Sequence, residues 1–202
     1  MTETEKLNIK RARLALLDHK DQEALDYYLE ANEENTNNSE AAYWVYTAYW
    51  EDCINNNRSA SEKWKAFVVL SGRLTEAVDQ IAEMEGTDME KAMVLIAFVY
   101  AYTPIVDYVT GYLGAQMATP QDRIERAVLT LYQTGNAIEH NFSSNEEAMK
   151  MASEAWKEAV KLQQKFYAYK YNGSKVEDYV EKIRKVEPDY VVPKKAGCIS
   201  LG

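Results

Sequence analysis

In this 202-residue chain Ser59-x-x-Glu62, Thr87-x-x-Glu90, Ser143-x-x-Glu146 and Ser174-x-x-Glu177 each set a hydroxyl side chain three positions ahead of a glutamate. At that spacing the hydroxyl accepts a hydrogen bond from an early helix amide, and the carboxylate reaches back to the cap's own amide. Each pair therefore marks a helix start. Thr119-Pro120 adds another, with proline at the first helical position, where its missing N–H costs nothing. Ser39 is positioned to cap a further helix. Polar breaks ("EENTNN", "NNNRSA", "EGTD", "NFSSN", "NGS") separate the apolar-periodic runs, and only 8 Gly and 4 Pro occur in the whole chain. No segment alternates with the two-residue period of an exposed strand. These signals predict an all-α fold of about eight helices in antiparallel pairs, at 4–17, 20–32, 39–54, 60–84, 88–115, 120–138, 144–170 and 174–185. Residues 1–186 then form one helical domain, and 187–202, which hold two of the prolines, an extended and flexible tail.

The formal charge of -9 argues against nucleic acid or an anionic membrane as a partner. Two cysteines, Cys53 and Cys198, are too few for a disulfide framework or a zinc ribbon. The N-terminal "MTETEKLNIKRARLALL" lacks the unbroken apolar core of a secretory signal, which makes the cytoplasm the expected location.

Two stretches raise sharper questions. "YWVYTAYW", Tyr43 to Trp50, is apolar on several sides of a helix and so reads as packed between neighbours, with some hydroxyls reaching water or a partner. Residues 93–113 carry a single charge, Asp107, and are long enough to span a bilayer. Asp107, the hydroxyls of Tyr100, Tyr102 and Tyr108, and the hydrogen bond that Pro104 removes weigh against spanning, because each leaves a polar group that hydrocarbon cannot satisfy. The expectation is the most buried helix of a bundle, kinked near Pro104, with a cation, amide or water beside Asp107.

Catalytic signals are scarce. His19 and His140 belong to no pair at metal-ligand spacing, and adjacent Glu139 points elsewhere on the helix. Cys53 reads as a small buried hydrophobe. Gly111-x-x-Gly114 follows a helix, which excludes a dinucleotide fingerprint. Cys198 stands one position too far from the end for prenylation. Neither a metal site nor a cofactor is expected.

"DQEALDYYLEANEENTNNSEAAYWVYTAY" resembles the junction of two tetratricopeptide repeats. Ala24, Tyr28 and Ala31 match the small-large-small pattern of a second helix, and Asn37-Asn38 match the turn. Glu40, Ala41, Tyr43, Val45, Ala48 and Tyr49 match the opening of the next repeat. Thr36 replaces the usual proline, Tyr46 a small residue, and Arg58 an expected alanine, so the likeness covers residues 5–54, with a bundle or irregular solenoid following. The tail "KIRKVEPDYVVPKKAGC" is similar to the segment before a Gly-Cys-aromatic box in certain bacterial proteins that join a zinc ribbon to such helices, although no ribbon cysteines are present.

The resemblance implies a bacterial cytoplasmic interaction protein. In such repeats the first helix of each pair lines the concave, ligand-bearing face. That would place Lys6 and Arg13 on one repeat and Tyr43, Thr47 and Trp50 on the next, with Val45, Ala48 and Tyr49 packed inward. The cations would suit an acidic peptide or a terminal carboxylate. The function expected is a non-enzymatic scaffold for a protein or peptide; the alternative is an enzyme built from scattered carboxylates and tyrosines.

Overall fold

The computed structural model describes residues 1–167 and 175–195. Among these are eight α-helices and no strand. They are α1 (Glu3–Leu17), α2 (Asp21–Glu34), α3 (Ser39–Asn55), α4 (Ala60–Ala82), α5 (Asp88–Thr110), α6 (Pro120–Phe142), α7 (Glu146–Lys165) and α8 (Val176–Val186). The chain is all-α, as the punctuation predicts.

Ser59 and Thr87 form complete capping boxes with Glu62 and Glu90, and Thr119 caps α6 ahead of Pro120. A further box, Thr2 with Glu5, starts α1. Two starts shift because asparagine caps as well as a hydroxyl does. Asn38, not Ser39, accepts from the Ala41 amide, and Asn145, not Ser143, accepts from the Ala148 amide. Ser174, residues 168–170 and Cys198 lie outside the described residues.

His19 and Asn57 take the left-handed conformation that closes α1 and α3, with φ of 57° and 45°. The amides of Lys20 and Arg58 then bond back to the carbonyls of Ala15 and Cys53, which satisfies two helix-end acceptors. His19 is thus a helix stop. α5 ends at Thr110, short of the expected 115, because buried Arg123 of α6 donates to the Val109 carbonyl and to the Ala118 carbonyl at 3.2 Å. A short 3₁₀ turn, Tyr112–Gly114, follows.

Three helical hairpins, α1/α2, α3/α4 and α6/α7, stack in series, with α2 on α3, α4 directly on α6, and α8 on α7. This arrangement is compatible with a helical repeat. α5 breaks the sequence of pairs. It touches α1, α4, α6 and α7, and its rings meet those of α3. An almost all-round apolar surface is what a helix so surrounded requires. The buried face of α5 is anchored by polar contacts: the Tyr43 hydroxyl donates to the Phe98 carbonyl at 2.8 Å, and Ser71 Oγ lies 2.8 Å from the Tyr102 hydroxyl.

Among the described residues α5 alone is long and apolar enough to cross a membrane, and half of its apolar window is buried inside the fold. Asp107 is exposed, so the buried companion expected for it is not needed. Residues 187–195 form no helix, yet they are tied to α7: Glu187 accepts from Ser153 at 2.7 Å and from Lys157 at 3.1 Å.

Candidate functional site: a groove between α3 and α5

α3 and α5 run side by side in the same direction. The Tyr43 and Trp44 rings meet Phe98 at 4.7 and 5.2 Å, and further along Trp50 meets Tyr108 at 5.4 Å. Rings of this size hold the two backbones apart. The result is an open groove of about 670 Å³, within the size range of small-ligand and peptide pockets.

One wall is built by Trp44, Thr47, Trp50 and Ile54 of α3. The other is built by Ala97, Ala101, Pro104, Ile105 and Tyr108 of α5. Ala97 and Ala101 are one helical turn apart, so they share a face and leave the α5 wall low. From Trp44 to Asn55 the groove runs roughly 16 Å at 1.5 Å per residue, about three turns of a docked helix.

Its polar groups gather at one end. Asp21, Glu51 and Asn55 line the groove where α3 terminates. Thr47 spends its hydroxyl on the Tyr43 carbonyl at 3.0 Å. Pro104 has no N–H to offer the Tyr100 carbonyl, which removes that acceptor's usual helical donor on a turn where Tyr100 is 65% exposed.

The five residues expected to hold a partner are separated by the structure. Thr47 and Trp50 line the groove, though at 7% and 5% exposure they supply wall more than surface. Tyr43 is fully buried behind Trp44, stacked on Phe98, so the expected concave-face role is corrected to a core role. α5 covers the face that the repeat resemblance leaves open.

Arg13 is also corrected. It binds Glu40 through two nitrogens, at 2.8 and 2.5 Å, while the Tyr28 hydroxyl donates to the same carboxylate at 2.8 Å. Burial opposes its charge, but the hydrogen bond and charge of Glu40 outweigh this and hold its pKa above the usual value. It is a structural clamp, largely buried and committed to Glu40. Lys6 is exposed, pairs with Glu3 at 2.9 Å and does not line the groove. Val45, Ala48 and Tyr49, expected inside, are only half-buried, because α5 turns the 43–47–50 side of α3 into its buried side.

Among the described residues two carboxylates are buried, and both accept hydrogen bonds from within the fold. Glu40 holds Arg13 and Tyr28, and Glu5 accepts from Asn35 and Asn38 at 3.1 and 2.9 Å. Among the described residues no group of three or more His, Cys, Asp or Glu is placed to hold a metal ion. A second hollow, of about 300 Å³, lies between α5 and α7 beneath Tyr190 and Pro193, with Glu154, Lys157, Glu158 and Lys161 on its rim. No protein-family model matches the chain, and no curated protein or solved structure matches it either.

Sequence reasoning missed Ala97, Ala101 and Pro104. The signal was present in the small residues at i and i+4 on a helix nearly free of charge, but it did not say which helix lies opposite.

Proposed function

We propose that this protein is a non-enzymatic interaction module that grips a short segment of a protein partner in the groove between α3 and α5. One observation carries the reading: a three-turn apolar trough floored by alanines and walled by Trp44, Trp50 and Tyr108. Aromatic walls around a low floor are the usual architecture of a helix-in-groove contact, in which a few large side chains of the partner supply most of the affinity. The buried carboxylates are engaged within the fold, where they accept from Arg13, Tyr28, Asn35 and Asn38.

A photo-crosslinking amino acid introduced at Ala101 tests the reading in a native lysate, with the same group at exposed Leu29 of α2 as reference. Discrete adducts from position 101 that are missing from position 29 are expected. The same adducts from both positions, or none from 101, would remove the groove from consideration.

A further inference from the structure

The sign of the charge around the groove narrows the class of partner, an inference that rests on the groove being the binding site. Among the described residues the charged side chains lining it are Asp21 and Glu51, both exposed and both acidic. Glu51 stands one turn before the end of α3, so the partial negative charge of that helix end adds to its own.

Two cations lie close by without lining the groove. Arg58 is committed to Asp52 at 2.5 Å and to Glu62 at 3.5 Å. Lys63 sits 5.9 Å over the Tyr108 ring and is not part of the lining. The rim of the second hollow, beside α7, mixes Lys157 and Lys161 with Glu154 and Glu158 and so favours neither sign.

We infer that the α3/α5 groove receives a cationic amphipathic helix of a protein partner. Its apolar stripe lies on Ala97 and Ala101 between the aromatic walls, and its lysines or arginines meet Asp21, Glu51 and the C-terminal end of α3. This reverses the acidic partner that Lys6 and Arg13 suggest from sequence alone. Those cations are absent from the groove, and Arg13 is neutralised by Glu40.

The test uses the full chain and two fluorescein-labelled amphipathic peptides of about 14 residues, close to four helical turns. One is built from leucine and lysine, and the other from leucine and glutamate. Binding is followed by fluorescence anisotropy at low and at physiological salt. The lysine peptide is expected to bind at least tenfold tighter than the glutamate peptide. Asp21→Lys/Glu51→Lys should weaken it about tenfold or more at low salt, the sum of two modest surface pairings turned repulsive. Glu30→Lys/Glu33→Lys on α2 makes the same change in net charge at exposed residues that do not line the groove, and should leave binding within twofold. Ala101→Phe, which fills the floor, should abolish it.

Equal loss in the two charge-reversed variants would mean diffuse attraction to an acidic protein and would overturn the inference. Tighter binding of the glutamate peptide that Ala101→Phe still abolishes would also overturn it, while leaving the groove as a binding site. If neither peptide responds to Ala101→Phe, the inference and the proposed function fall together.

Discussion

Removing the Tyr43 ring should be among the most damaging single changes to this fold. The ring is fully buried, stacks on Phe98 at 4.7 Å and meets Trp44 edge-on at 5.7 Å. Its hydroxyl ties α3 to α5 through the Phe98 carbonyl at 2.8 Å. Tyr43→Ala opens a cavity in a closed aromatic cluster, a change that costs about 3–5 kcal/mol. For a chain of this size each kcal/mol shifts the melting temperature by about 2–4 °C, so a fall of roughly 6–20 °C is expected. Tyr43→Phe keeps the ring and loses one hydrogen bond, at about 0.5–1.5 kcal/mol. Tyr49→Ala is the internal reference. Tyr49 is half-buried, with Tyr46 edge-on at 6.1 Å and Arg58 6.0 Å over its ring, so it should cost about 1 kcal/mol. Urea unfolding and thermal melting followed by circular dichroism measure all three. A Tyr43→Ala protein that melts within 2 °C of the unchanged chain, or Tyr49→Ala as the worse variant, would refute the placement of α5 against this side of α3.

Gly135→Ala places a Cβ 2.3 Å from the rigid, buried indole of Trp156, so calorimetry should show a loss of about 1–3 kcal/mol from overpacking; no loss would mean that α6 and α7 are not in close contact there. Burial first of all, against hydrogen bonds from Ser71 and Thr130, pushes the Tyr102 hydroxyl up to about 12. A raised value means that the neutral form is favoured in the fold, so its stabilisation is complete below about pH 10 and disappears as pH climbs from about 10 through about 12. Tyr102→Phe should flatten that alkaline decline in urea-midpoint measurements, and an unchanged slope would argue against it. Adding zinc or a chelator should leave the melting temperature unchanged, and a chelator-induced fall of several degrees would reveal a metal site.

How much of this was legible beforehand depends on whether the signal is local. Thr87 with Glu90, or Thr119 with Pro120, completes a helix start within one turn, and such starts were readable directly. Ser143 and Asn145 stand two positions apart at one break, and local chemistry alone does not choose between them. The end of α5 was misjudged because it is set by Arg123, which arrives from the next helix. The same limit governed the site. Periodicity put Tyr43 and Trp50 on one face, but whether that face meets water or another helix depends on α5. Phe98 and Tyr108 reach it only after the chain has passed through all of α4. Arg13 looked free because its partner Glu40 lies two helices away.

If the α3/α5 groove holds the partner, the four tryptophans report it at once. Trp44 and Trp50 line the groove, whereas Trp64 and Trp156 lie elsewhere in the fold. With ¹⁵N-labelled full-length chain, each indole N–H gives its own nuclear magnetic resonance signal, and titration with the tighter of the two amphipathic peptides follows all four at once. Binding in the groove requires saturable shifts of the Trp44 and Trp50 indoles, with those of Trp64 and Trp156 unmoved. Shifts confined to Trp64 or Trp156, or no shift at any of the four, would contradict it.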